Sequence, residues 1–368
     1  MSWMEKSGQA NIELLKALSS GLKRIVSEIC LGYRTISLKS GFCWMFGFIV
    51  VSIIIARFIF LSQLWKFSWM PAGLASSLAF SFVTFYLVIG PACIMFFDVL
   101  IEIKKKLQNV SHRPPLSLVK DFAKDYFTVE YLTTGVIAYC LLYGMFISYT
   151  NLKPAIPLLN HNLYDELLFQ CDQSFLKVLS LGGLIRIPRN STVTLFFDTL
   201  YPHMWTLASI TLVAAYRNRL QFWRFLGGWC LVFGFSVPIS VLFPSLGPAF
   251  YKPELFAYID NTISSKAMQV LWKNYLSFKT NPIDTTIFCA NGIVAMPSLH
   301  IALAYQSIYV LGKIYTSIKL ILWILLILYF IATMYLGWHY FLDGVAGILL
   351  GWLAYKVSTT LFSEKIAK

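Results

Sequence analysis

Long apolar runs alternate along this chain with short polar, mostly basic segments. Runs of membrane-spanning length cover 41–62, 72–101, 129–150, 199–216, 222–244, 297–317, 319–337 and 340–361. A bilayer core about 30 Å thick asks for roughly 20 apolar residues per helix, so the pattern predicts eight transmembrane helices. Two long mixed segments, 151–198 and 245–295, interrupt the runs. Within the first of these, LYDELLFQCDQSFLKVL has the spacing of an amphipathic helix lying along a membrane surface. Near the N-terminus, Leu14, Leu15, Leu18, Leu22 and Ile25 share one helical face. A membrane-surface helix and a short solvent helix both fit that segment.

Composition agrees with the pattern. Hydrophobic residues make up 58% and charged residues 13% of the 368 positions, against about 25% charged in soluble domains. The expected fold class is therefore an all-α polytopic membrane protein of one membrane domain, with no internal repeat. The first forty residues are polar and basic and lack an early apolar core, so no cleavable signal peptide is read there. None of the seven cysteines forms a C-x-x-C pair, which argues against a zinc or redox site. Cys171 and Cys289 fall in loops expected outside the cytoplasm, where a disulfide is open to them and two unpaired thiols are the favoured reading.

The net charge of +13 is read through topology. No basic stretch interleaved with aromatics offers a nucleic acid a stacking surface, so none is expected as partner. Lys and Arg instead concentrate in the N-terminal segment, in 102–128 and 217–224, in the turn at 313–319 and at the C-terminus. The opposite loops hold fewer, and two of those are long loops that count little. Both termini are thus expected in the cytoplasm. His300 and His339 would then emerge together on the non-cytoplasmic side.

Three residues at the edges of apolar runs carry chemistry: His300, His339 and Asp343. Pro297 suits the first turn of a helix, and a helix starting there aims free N–H groups outward. Ser298 and His300 in the same turn make a seat for phosphate. His339 and Asp343 stand four apart, the spacing that shares a face on a helix. The carboxylate can then fix the tautomer of the imidazole, while a facing histidine works as acid and base. An interfacial proton relay of a transporter uses the same residue types, although transporters place them near the midplane.

Met296-Pro297-Ser298-Leu299-His300 and His339-Tyr340-Phe341-Leu342-Asp343-Gly344-Val345-Ala346-Gly347 resemble two signatures of the type 2 phosphatidic acid phosphatase superfamily. The leucine in the first is similar to the inositol phosphorylceramide synthase-like subgroup. The resemblance implies a six-helix lipid phosphatase or phosphotransferase core within 129–368. Residues 41–128 would supply two accessory transmembrane helices and a basic cytoplasmic loop, and 1–40 a cytoplasmic amphipathic segment. It also implies that His339 forms a phosphohistidine, Asp343 orients it, His300 protonates the leaving group and later activates the acceptor, and Ser298 touches the phosphate.

Two departures qualify the resemblance. The superfamily's arginine six residues before the nucleophile is absent, since Ala332 and Thr333 stand at the Ser-Arg positions. The subgroup tends to lack it too. The Lys-x6-Arg-Pro signature occurs literally from Lys106 to Arg113-Pro114, but that loop is assigned to the cytoplasmic side, about a bilayer from His300. The corresponding place is Leu242 to Lys252, a Pro-rich aromatic segment that makes Tyr251 and Lys252 candidates for binding phosphate or headgroup. Asn190-Ser191-Thr192 is a glycosylation sequon in an outer loop.

The expected activity is transfer of a phosphoryl or phospho-headgroup from a phospholipid to an alcohol, at the periplasmic, exterior or lumenal face, with a bacterial inner membrane favoured. Hydrolysis of a lipid or polyprenyl phosphate by the same residues is the alternative, and a proton-coupled transporter is the alternative of another class. A phospholipid, sphingolipid or polyprenyl phosphate is the expected ligand. No cofactor and no metal are expected.

Overall fold

Helices are the regular elements of the described residues, as the apolar periodicity dictates. The computed structural model describes residues 44–55, 79–109, 114–153, 156–179, 187–280 and 293–363. The N-terminal amphipathic stretch, Arg113 and Cys289 lie outside these residues.

Twelve helices organise the described residues: α1 Trp44–Ile55, α2 Ala79–Leu107, α3 Pro115–Tyr126, α4 Val129–Leu152, α5 Asp165–Leu179, α6 Ser191–Leu200, α7 His203–Ala215, α8 Arg219–Leu242, α9 Ile263–Thr280, α10 Leu299–Ile314, α11 Lys319–Tyr335 and α12 Phe341–Leu361. One-turn helices at Ile156–Leu159 and Pro248–Tyr251 join them. Short polar side chains mark the starts. Thr128, Asn190, Asn218 and Ser298 each accept a backbone N–H in the first turn of α4, α6, α8 and α10. Asn190 of the sequon is such a cap.

Among the described residues five helices are long and apolar enough to cross a membrane: Ala79–Leu107, Val129–Leu152, Arg219–Leu242, Thr316–Tyr335 and Phe341–Leu361. The run at 199–216 is divided at Tyr201-Pro202, where proline lacks the N–H to continue the ladder, leaving α7 with 13 residues. The run that starts at Pro297 gives 16 helical residues, about 24 Å at 1.5 Å per residue. Large apolar side chains are exposed on the outward faces, including Leu320, Ile321, Ile324 and Ile327 of α11 and Leu349 and Leu353 of α12. Such faces suit hydrocarbon and not water.

The core is built by α8, α10 and α12 packed against one another, with α7 and α11 against α10 and α4 against α8. Close approach of α10 and α12 depends on small residues. A Cβ at Gly347 would lie 2.5 Å from the Ser298 carbonyl oxygen, and one at Gly351 equally near that of Ala302. The polar groups segregate to the two ends of this bundle. At one end Arg217 pairs with Asp98 (2.7 Å) and Asp125 (3.0 Å), and Arg219 with Glu130 (2.6 Å). The end of α2 that carries Lys106 belongs to that side. The two histidines sit at the other end, where Ser240 in the last turn of α8 donates to Met296 O at 2.7 Å.

Candidate active site

The site is assembled by two turns, one before α10 and one before α12, held together by backbone hydrogen bonds. α11 ends in a left-handed Gly337 with φ +74°. The Gly337 N–H bonds to Met334 O and the Trp338 N–H to Thr333 O, both at 3.0 Å, the paired bonds of a Schellman ending. Thr333, six residues before His339, is fully buried, and its carbonyl also takes the His339 N–H at 3.3 Å. This closure turns the chain sharply and delivers His339 into the space above α10.

His339 does not lie on α12. The helix begins at Phe341, Tyr340 is its cap, and Asp343 Oδ2 accepts the Tyr340 N–H at 2.8 Å. The four-residue spacing of His339 and Asp343 therefore acts through a capping box and not through a shared helical face. Asp343 Oδ2 stands 3.6 Å from His339 Nδ1, beyond hydrogen-bond length. The closer partner of Nδ1 is the Ala295 carbonyl oxygen at 2.9 Å.

That contact decides the tautomer. A carbonyl only accepts, so Nδ1 carries the proton and Nε2 keeps its lone pair. Nε2 faces His300 Nδ1 at 3.4 Å. The Tyr201 hydroxyl stands 3.1 Å from the same nitrogen of His300, and Trp338 stacks on the Tyr201 ring at 5.7 Å. His339 is buried, and burial pushes its pKa down to about 3, so the imidazole is neutral at pH 7.

Ser298 is fully buried. Its Oγ accepts the Ile301 N–H as the cap of α10 at 3.4 Å, and its N–H bonds to Asp343 O at 3.0 Å. The hydroxyl proton is left to give. The helix starts at Leu299, so Pro297 precedes the cap and is not in the first turn. The structure brings His300, His339, Asp343 and Ser298 together. Tyr251 instead packs against Phe169 of α5 at 5.8 Å between ring centres, and Lys252 Nζ lies 5.0 Å from the Tyr251 ring. No hydrogen bond or ion pair links either residue to the histidines among the described residues.

Two acids that sequence reasoning passed over hold the turns in place. Asp165 accepts from Leu246 N and Gly247 N and from the Tyr340 hydroxyl at 2.9 to 3.0 Å. Asp172 accepts the Phe341 N–H at 2.9 Å, at the positive end of α12. Burial raises both carboxyls, Asp172 to about 7. Their seven-residue spacing on the predicted amphipathic helix was the available signal, since it puts both on one face.

The described residues include no cluster of His, Cys, Asp and Glu arranged to hold a metal ion. A buried neutral imidazole with a free Nε2, facing a second histidine and backed by a carboxylate, can attack an electrophile such as phosphorus. Comparison with curated proteins and with solved structures finds no match. Residues 182–357, just under half of the chain, match the family model described as PAP2 superfamily, and to that superfamily this stretch, which contains both histidine turns, is similar.

Proposed function

We propose that this chain is an integral membrane lipid phosphotransferase of the PAP2 superfamily that works through a phosphohistidine on His339. The observation that carries the reading is the bond from His339 Nδ1 to Ala295 O, which leaves the Nε2 lone pair toward His300. The superfamily match supports it. In the first step Nε2 attacks the phosphorus of a lipid phosphate ester, and a new N–P bond replaces the P–O bond to the leaving group. The leaving oxygen departs with the P–O electron pair and takes a proton from His300, whose imidazolium form the negative charge of the bound phosphate favours. Asp343, 3.6 Å from Nδ1, offsets the positive charge that His339 gains. In the second step the acceptor hydroxyl gives its proton to His300 and its oxygen attacks phosphorus. The N–P bond breaks and the Nε2 lone pair returns.

Ser298 is assigned to the phosphate, and Tyr251 and Lys252 to the headgroup. The eight spans, the six-helix core within 129–368 and cytoplasmic termini belong to the same proposal, with α6–α7 and α10 as the shorter members. An inositol phosphorylceramide synthase-like transfer to an alcohol is the preferred outcome, because the superfamily arginine is replaced by Thr333, as that subgroup tends to do.

The test is turnover of a labelled lipid phosphate by the purified protein, with and without alcohol acceptors. A new phosphodiester marks transfer, and free phosphate marks hydrolysis. An acid-labile phosphoryl adduct on His339 is expected on rapid quenching. Normal turnover by His339→Ala sinks the mechanism.

A further inference from the structure

His300 opens α10, and among the described residues the polar contacts of its ring are with Tyr201 and His339. No carbonyl among those residues anchors it in the way Ala295 O anchors His339. The Tyr201 hydroxyl is nearly equidistant from its two nitrogens, 3.1 Å from Nδ1 and 3.3 Å from Nε2. The backbone places that hydroxyl. α6 ends at Leu200, the Tyr201 N–H bonds to Phe197 O at 2.9 Å, and Pro202, which has no N–H, breaks the ladder before α7. The Tyr201 ring is buried and lies flat on the Trp338 indole, with centres 5.7 Å apart and planes 6° from parallel. Trp338 directly precedes His339, so the turn that carries one histidine braces the tyrosine that touches the other. Trp205, in the first turn of α7, meets the His300 ring edge-on at 5.8 Å.

The contact between the histidines does not outlast a reaction at His339. Its Nε2 faces His300 Nδ1 at 3.4 Å, and a phosphorus atom attacked by the Nε2 lone pair must take the place toward which that lone pair points. His300 then keeps one polar contact, the Tyr201 hydroxyl. That contact has to serve an imidazole that gives a proton in one step and takes one in the next. A hydroxyl does so, because it donates to a bare ring nitrogen and accepts from a ring N–H, whereas a carbonyl only accepts. We propose that Tyr201 is the positioning residue for His300, holding its imidazole in both protonation states while the proton passes to the leaving oxygen or from the attacking one. The proposal rests on the phosphotransfer reading of the site. It makes the Tyr201 oxygen matter in proportion to the leaving group's need for a proton. A tyrosine that only packs on Trp338 confers no such dependence.

The test compares turnover of two phosphate monoesters, dioctanoyl phosphatidic acid and 4-nitrophenyl phosphate, by the purified full-length protein in detergent at pH 7. The first releases an alcohol and needs the proton, while the second releases nitrophenolate and does not. Tyr201→Phe keeps the ring and its stack and removes only the oxygen, so its thermal midpoint should stay near wild type. Its kcat/KM should fall about tenfold or more for phosphatidic acid and less than about threefold for 4-nitrophenyl phosphate, since proton transfer to the leaving group enters only the first. Tyr201→Leu loses the stack as well and should lower both esters alike, the pattern of a structural defect. Equal loss for the two esters in folded Tyr201→Phe overturns the proposal, and so does no loss for either. A second measurement needs no turnover. Nitrogen-15 spectra of histidine-labelled protein, with His300 assigned through His300→Gln, should show a His300 ring nitrogen displaced in Tyr201→Phe. Should the wild type turn over neither ester, the phosphotransfer reading fails. A displaced His300 signal then upholds the hold of Tyr201 on His300, and an unmoved one overturns that too.

Discussion

His339 Nε2 stands 3.4 Å from His300 Nδ1, although 39 residues separate the two in sequence. Each precedes or opens a different helix, and neither approach is set by local spacing. The pair exists because the turn after α11 and the turn before α10 are bonded to each other, through Ala295 O on one ring and Asp343 O on Ser298 N. The chemistry proposed for the site is thus a property of two interlocked turns.

Because Ala295 O and not Asp343 holds the Nδ1 proton, Asp343 should matter for charge more than for tautomer. Asp343→Asn keeps an oxygen to cap Tyr340 N and should leave the thermal midpoint near wild type. Its kcat should fall by about 10²-fold, less than the roughly 10⁴-fold seen where the wrong tautomer results. Asp343→Ala should lose the cap as well, about 1 kcal/mol of stability. Steady-state kinetics with thermal melts in detergent distinguish the two. A fall in Asp343→Asn as large as in His339→Ala would return the tautomer role to the carboxylate.

Asp165 holds three donors from two turns. Asp165→Ala leaves two buried N–H groups and a hydroxyl unpaired and should cost about 3 kcal/mol or more, while Tyr340→Phe removes one bond at about 1 kcal/mol. Adding Tyr340→Phe to Asp165→Ala should cost little further, because the partner is already gone. Thermal or denaturant melts of the four proteins measure the cycle. Strict additivity would mean that the tyrosine contact contributes independently.

Gly337 has φ +74°, and a Cβ there would lie 2.6 Å from the Ala249 Cβ. Gly337→Ala should cost about 1 to 2 kcal/mol for the left-handed backbone alone, with the clash in addition. Since Ala249 N bonds to Gly337 O at 3.0 Å, the displacement reaches the 245–251 turn. Turnover should fall further than the melting shift implies, and comparing the two readouts checks it.

Stability should respond to acid with two opposite signs. His339 is lowered to about 3, so below about pH 6.5 the unfolded chain binds a proton that the folded chain refuses. Its contribution is present above pH 6.5 and is lost on falling toward pH 3. Asp172 is raised to about 7, so between about pH 7 and 4 the folded chain keeps a proton the unfolded one has released, and stability is gained on acidification. Thermal midpoints from pH 4 to 8 should therefore fall less steeply for His339→Gln than for wild type, and more steeply for Asp172→Asn. Parallel curves for all three proteins would contradict both assignments.

Much of the helical framework was legible from apolar runs, because hydrophobic periodicity is local and lipid demands it. The run at 199–216 misled only in continuity, and Tyr201-Pro202 marked the break. The trio proposed to react was legible too, since His300, His339 and Asp343 are polar groups at the edges of apolar runs. The geometry linking them was not. The helical face expected of His339 and Asp343 proved to be a capping box, with Tyr340 between them as the cap.

Residues that act across the fold stayed hidden for the same physical reason. Asp165, 175 positions from Tyr340, reads in sequence as an ordinary polar residue of an amphipathic helix. The sequence by itself determined where the chain must be helical and which titratable side chains stand at the edges of apolar runs, because both are written in the local order of polar and apolar positions. The tertiary structure alone decided which nitrogen of His339 faces His300 and which acids hold its turn. Those outcomes depend on contacts between segments far apart in the chain, and local spacing carries no record of them.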